Sequence, residues 1–251
     1  MTQAGGDRIA AEEAAVVTGA SAGIGEAIAR VMLDRGHPVI ALQRRAPAIR
    51  HPHLSHVEVD LADVEATREA AAQVASRHAV RYLVNNAGAN RPGRVEQATA
   101  EDVAHVMGIT ITAAMLLVQA FLPGMREARY GRIVNIASRA LLGKTGRLVY
   151  SSAKAGLVGF TRTLAIEAGV DGITVNVIAP GPVGSALFDR GHPPGSAQRQ
   201  QVIDGILLGR VGTPEDVAHA AGFLLDPRSG FITGQLLFVC GGTSVTGTGG
   251  Q

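Results

Sequence analysis

Seven short apolar runs alternate along this chain with longer helical stretches, and that alternation limits the possible folds more than any other feature. The runs cover residues 14–18, 39–42, 57–59, 82–85, 132–136, 174–178 and 236–239. Short, nearly continuous apolar segments of this kind suit strands buried on both faces of a parallel sheet. Between them, residues 23–35, 64–77, 100–126, 149–168 and 214–225 read as helices. Thr99 before Glu101 and Asp102, and Thr213 before Pro214, Glu215 and Asp216, supply helix-start chemistry. Parallel strands joined through helices cross over right-handedly, so the expected fold is α/β, a doubly wound sheet with helices on both faces. No repeat or composition break divides the 251 residues, and one domain over residues 1–251 is expected. Residues 1–13 and 243–251 read as tails. Gly181 to Gln201 breaks the rhythm with glycine, proline and polar residues, so residues 182–201 are read as an irregular substrate loop.

Composition narrows the function. A formal charge of +2, with no basic run interleaved with aromatics, speaks against a nucleic-acid partner. One cysteine, Cys240, excludes an internal disulfide and a cysteine-rich metal site. His51, His53 and His56 are read as a solvated loop, so no metal is expected. No apolar run of membrane-spanning length and no signal-like start are evident, so no membrane is expected and cytoplasm is the default.

The first run leads into Thr18-Gly19-Ala20-Ser21-Ala22-Gly23-Ile24-Gly25 and then a helix. Glycines there permit a tight turn and let a pyrophosphate approach the helix amides. Some 20 residues on, where a carboxylate would bind the ribose 2′-hydroxyl of NAD, stand Gln43, Arg44 and Arg45. Two guanidiniums suit a 2′-phosphate, which favours NADP(H) and leaves NAD(H) possible.

Tyr150 precedes Lys154 by four residues in a chain with three tyrosines and two lysines. Chance would place such a pair in only about 2% of chains like this one. On a helix the two share a face, and a neighbouring ammonium would lower the phenol's pKa towards a useful acid or base.

Taken in order, these motifs resemble the short-chain dehydrogenase/reductase family. The likeness is carried by Thr18 to Gly25, Asp60-Leu61, Asn85-Asn86-Ala87-Gly88, Ser138, Tyr150 with Lys154, Pro180-Gly181-Pro182-Val183, Gly212 to Ala218, and Thr233-Gly234-Gln235. The resemblance implies a Rossmann fold with a seven-stranded parallel sheet. It implies Tyr150 as proton donor or acceptor, Lys154 as its partner and ligand of the nicotinamide ribose, and Ser138 as hydrogen-bond donor to the substrate oxygen. It further implies cofactor contacts from Gly19, Ser21, Gly23, Ile24, Gly25, Asp60, Leu61, Asn86, Ala87, Gly88, Pro180, Gly181, Val183 and Ser185. A homotetramer or homodimer is implied as well, with the long helices at a subunit interface.

Three departures stand out. Thr110 takes the place of the family's catalytic asparagine; its backbone carbonyl could still serve a proton relay, while its hydroxyl could bond back to the preceding turn. The gap from Ser138 to Tyr150 is one residue shorter than the commonest spacing, and loop 139–149 is expected to absorb the difference. Cys240-Gly241-Gly242 replaces a frequent Asp-Gly-Gly, a site concerned with packing more than chemistry. Arg139, Lys144 and Arg147 in that loop read as solvated surface in preference to contacts for an acidic substrate. The expected activity is hydride transfer between NADP(H) and a small carbonyl or secondary alcohol. A cofactor-binding sensor or scaffold without turnover is the alternative, resting on Thr110.

Overall fold

Strand β1 (Ala14–Thr18) is buried along its whole length and feeds two apolar layers. Ala14 and Val16 point into one layer, Ala15 and Val17 into the other, as the two-residue period of a strand requires. The computed structural model describes residues 13–246. Around β1 lie β2 (Val39–Gln43), β3 (Leu54–Glu58), β4 (Val80–Asn85), β5 (Gly131–Ile136), β6 (Ile173–Pro180) and β7 (Leu236–Val239). All seven are parallel, in the order β3-β2-β1-β4-β5-β6-β7. One layer beside the sheet is filled by α2 (Val64–Arg77), α4 (Ala113–Glu127) and the end of α5 (Leu148–Ala168). The opposite layer is filled by α1 (Gly23–Asp34) and α8 (Pro214–Leu225). The fold is the expected doubly wound, Rossmann-type single domain.

Both anticipated helix starts close as capping boxes. Thr99 Oγ1 accepts from the Asp102 amide at 3.1 Å, and Thr213 Oγ1 accepts from the Asp216 amide at 3.3 Å. The stretch expected as one helix over residues 100–126 is interrupted. It runs as α3 (Ala100–Met107), a π-helical turn (Gly108–Thr112) and α4.

Other expectations need correction. Strand β3 starts at Leu54, three residues before the apolar run, because at a sheet edge polar Ser55 and His56 can occupy ladder positions. Residues 182–201 are not irregular throughout. Ser185 and Ser196 cap two short helices, α6 (Ala186–Gly191) and α7 (Ala197–Asp204). The stretch Ala100–Glu127 is long and apolar enough to cross a membrane by length and composition. In this fold Leu117, Phe121 and Met125 from it are buried against the sheet. Of the expected tails, residues 1–12 and 247–251 lie outside the described residues. The adjoining described residues are anchored: His37 Nδ1 bonds the Glu13 carbonyl at 3.0 Å, and buried Thr243 donates to the Cys240 carbonyl at 3.1 Å.

Candidate active site

The winding direction reverses between β1 and β4, so their carboxyl ends open a crevice at the centre of the sheet. Thr18 and Asn86 stitch its two sides together. Thr18 Oγ1 accepts from the amides of Asn86 and Ala87, each at 2.9 Å. The Asn86 side chain donates to the carbonyls of Thr18 at 2.9 Å and Gly19 at 3.1 Å. Gly19 and Gly23 adopt φ of +67° and +60°, a region that favours glycine. At Gly25 a Cβ would be driven directly against the Gly19 carbonyl oxygen and to 2.5 Å from Asn86 Nδ2. The glycine loop is therefore locked by packing, while α1 begins after Ala22 without a side-chain cap for its first amides.

Nine of the expected cofactor residues line one cleft of about 280 Å³: Gly19, Ser21, Arg44, Arg45, Asp60, Leu61, Asn86, Ala87 and Gly88. Gly23, Ile24 and Gly25 shape the loop without lining that cleft; Ile24 packs against the core. Arg44 stands 3.6 Å from the Asp60 carboxylate, both side chains being well exposed. Asp60 also accepts from the Ala62 amide at 3.0 Å, whereas Asp63 caps α2. Buried Gln43 donates to the Arg45 carbonyl at 2.8 Å and so shapes the turn that presents both arginines. Val59 and Ile109 also line the cleft and carried no signal in the sequence beyond their place beside Asp60 and Thr110.

At the far side of Gly88 sits the Tyr150 group. Tyr150, in the first turn of α5, shares a side-chain hydrogen bond with Ser138 at the end of β5. The shortened interval between them is thus absorbed, by a 3-10 turn (Arg139–Leu142) and by Gly143 and Gly146 at φ +101° and +67°. Lys154 is 3% exposed, and its Nζ donates to the Ile136 carbonyl at 2.6 Å. That ammonium lies 5.9 Å from the Tyr150 ring centre. A Cβ on Gly88 would stand 3.1 Å from Lys154 Nζ, so the absence of a side chain there leaves the ammonium its space.

The electrostatics differ from the expectation that Lys154 depresses the phenol. Burial pushes the Tyr150 pKa above the ordinary tyrosine value; the Ser138 hydrogen bond and then the Arg147 charge pull it part of the way back. Burial also brings Lys154 itself down to about 8. Both groups are set mainly by desolvation, which moves the lysine towards neutral pH and the phenol away from it.

Thr110 lies in the π-helical turn, 3% exposed, and the same Cβ position on Gly88 is 3.9 Å from its Oγ1. The hydroxyl does not bond back to the preceding turn, as anticipated; it is buried with no partner. Beneath the site, Asn85 donates to Asn135 at 2.8 Å and Asn135 to Thr161 at 2.9 Å, a buried chain not foreseen from the sequence.

Pro180, Gly181, Val183 and Ser185 are not among the residues lining the first cleft. Gly181 packs so closely on Cys240 that a Cβ would come within 2.7 Å of its Cα. Val183 bridges to Gly212 and borders a second cavity of about 410 Å³ beside Cys240. Ser185 Oγ accepts from the Phe188 amide at 3.1 Å and so starts α6. Among the described residues no cluster of histidine, cysteine and carboxylates could hold a metal.

The cleft suits a dinucleotide: close-approach glycines and two guanidiniums line it together, and Lys154 lies against Gly88 in its wall. Comparison with known proteins agrees. Residues 19–244 match the family model described as enoyl-(acyl carrier protein) reductase. A hydroxy(phenyl)methylsuccinyl-CoA dehydrogenase subunit, BbsD of Thauera aromatica, is 37% identical over 92% of this chain and 96% of its own. A 3-oxoacyl-(acyl-carrier-protein) reductase of Rickettsia conorii is 36% identical over 90% and 95%. Among solved structures, a candidate NAD(P)-dependent gluconate 5-dehydrogenase from Beutenbergia cavernae with bound NADP superposes at a TM-score of 0.85, with 32% identity over 93% of this chain and 97% of that one. Matched by that family model over residues 19–244 and by relatives more than 30% identical along nearly their whole length, the chain belongs to the short-chain dehydrogenase/reductase family of oxidoreductases.

Proposed function

We propose that the protein transfers a hydride between NADP(H) and a carbonyl or secondary alcohol, with Tyr150 as general acid and base. The observation that carries this reading is the Ser138–Tyr150 hydrogen bond beside buried Lys154, which packs against Gly88 in the wall of a cleft also lined by Arg44 and Arg45. When bound, the nicotinamide cofactor supplies or accepts the hydride. Arg44 and Arg45 hold its 2′-phosphate by charge-assisted bonds, and the glycine loop with Asn86 shapes the pyrophosphate seat. Two NADP-bound structural relatives, the Beutenbergia protein and a candidate 2-deoxy-D-gluconate 3-dehydrogenase from Agrobacterium tumefaciens, support the cofactor choice.

Tyr150 delivers its proton to the substrate oxygen in reduction and takes it back in oxidation. Ser138 donates to the same oxygen as charge develops there, and its bond to Tyr150 brings the two hydroxyls together. Lys154, held by the Ile136 carbonyl, restores the phenol's proton. Its pKa of about 8 lets it give up and regain a proton near neutral pH. Thr110 Oγ1 and Lys154 Nζ both face Gly88, and the backbone carbonyl that threonine retains would still serve a proton relay.

The test is Tyr150→Phe, assayed by loss of NADPH absorbance over a panel of ketones and oxo acids. Turnover should fall by about a thousandfold, the range for losing a general acid. NADPH binding should hold within about twofold, since the ring and its packing remain. Near-normal turnover in this variant overturns the assignment.

A further inference from the structure

We propose that Arg139, Lys144 and Arg147 form a subsite for an anionic group, carboxylate or phosphate, borne by the carbonyl substrate next to Tyr150. The proposal rests on the oxidoreductase reading and adds a substrate class to it. The three cations occupy the single loop that links Ser138 to Tyr150, and that loop is built rather than loose. Ser138 Oγ accepts from the Ala140 amide at 3.2 Å and so fixes the turn that carries Arg139. The Arg147 amide bonds the Lys144 carbonyl at 3.1 Å, and the Arg147 carbonyl accepts from the Ser151 amide at 2.7 Å. From outside, Gly93 bridges to Arg147 and its amide bonds the Gly146 carbonyl at 3.0 Å. Gly143 and Gly146, at positive φ, turn the chain between these anchors.

One of these charges reaches the reacting group, and the other two lie close enough to act with it. The Arg147 guanidinium acts electrostatically on the Tyr150 phenol. Lys144 is held below the ordinary lysine pKa by local desolvation and then by Arg147 and Arg139, with no carboxylate to offset them. Nine other arginines make ion pairs, yet none of these three cations does so among the described residues. A solvated surface explains unpaired cations in a loose loop. It does not account for three of them gathered on an anchored loop between the two residues that hold the substrate oxygen. An anion there would relieve their mutual repulsion, and guanidinium forks match the oxygens of carboxylate or phosphate.

The experiment compares acetoacetate (carboxylate), acetoacetyl-CoA (phosphates) and ethyl acetoacetate (neutral) as oxidants of NADPH. Wild type is set against Arg139→Gln/Lys144→Gln/Arg147→Gln and against Arg139→Lys/Arg147→Lys. Wild type should favour at least one anion over the ester by about tenfold or more in kcat/KM, the scale of a charge-assisted contact. The neutralised triple variant should lose about ten- to a hundredfold on that anion beyond any loss on the ester, which reads the effect of the Arg147 charge on the phenol, and an unchanged circular-dichroism spectrum shows an intact fold. The lysine variant should keep part of the preference. Loss confined to acetoacetate identifies a carboxylate subsite, and loss confined to acetoacetyl-CoA a phosphate subsite. Parallel losses on all three, or an unchanged preference, overturn the proposal. If wild type reduces none of them, the activity reading fails on this panel. Calorimetry with NADP⁺ present then judges the subsite alone: anion binding that exceeds ester binding and vanishes in the triple variant upholds it, and any other result overturns it.

Discussion

Removing the buried ammonium with Lys154→Met should change how stability depends on pH. Lys154 is 3% exposed, and its folded pKa of about 8 lies below the unconstrained 10.5. Between those values the unfolded chain holds a proton that the folded chain has already released. Stability therefore rises with pH across that window, and the cost of burying the charge is present in full only below pH 8. At about 1.4 kcal/mol per pH unit, the full difference is about 3 kcal/mol, of which roughly 2–3 kcal/mol is recovered between pH 7 and pH 10. The chain suits the measurement because Lys144 is its only other lysine. Tyr82 and Tyr150, both raised by burial, act with the opposite sign only above about pH 10. Urea unfolding followed by circular dichroism, at fixed protein concentration from pH 7 to 10, should show wild type gaining roughly 2 kcal/mol relative to Lys154→Met. At pH 7 the variant loses the bond to the Ile136 carbonyl along with the charge, so the pH trend, not the offset, is the reading. Parallel profiles for the two proteins would refute a desolvated, charge-shifted lysine.

Arg44→Ala should weaken NADPH binding by about tenfold or more and leave NADH nearly unchanged, as the loss of a charge-assisted phosphate contact predicts. Titration of cofactor fluorescence reads both affinities, and equal effects would sink the 2′-phosphate argument. Gly25→Ala forces a Cβ onto the Gly19 carbonyl and Asn86 Nδ2. It should cost about 1–3 kcal/mol in urea unfolding and abolish NADPH binding; a variant that binds normally would contradict the locked loop. Thr110→Val removes a buried hydroxyl without a partner. It should raise stability by about 1 kcal/mol, and a comparable loss would mean that the hydroxyl is bonded in solution.

The chain order of motifs was legible because each expresses a local rule. Glycines at 19, 23 and 25 answer to backbone conformation and close approach; Thr99 and Thr213 answer to unpaired helix amides. Where side chains alternate in exposure the rule weakens, so the apolar run marks only the end of β3, and α6 and α7, of six and eight residues amid glycine and proline, are too short to show a helical period. Ser185 illustrates the mixture. Its position could be aligned, but its engagement as the cap of α6 depends on a helix that the segment's composition concealed.

By itself the sequence determined the sheet, the glycine-bearing strand–loop–helix and the spacing of Ser138, Tyr150 and Lys154, because periodicity and short-range sterics are local. Only the tertiary structure decided the electrostatic state of those groups. Whether Lys154 acts on the phenol or is itself shifted by burial depends on what surrounds it: the Ile136 carbonyl, the gap at Gly88 and the packed α5. Likewise, that Thr110 sits in a π-helical turn with an orphaned hydroxyl, and that the Arg147 charge reaches the Tyr150 phenol, is seen only in the folded chain. Desolvation and unpaired charge are properties of an environment, and segments distant in the chain build that environment only once they fold together.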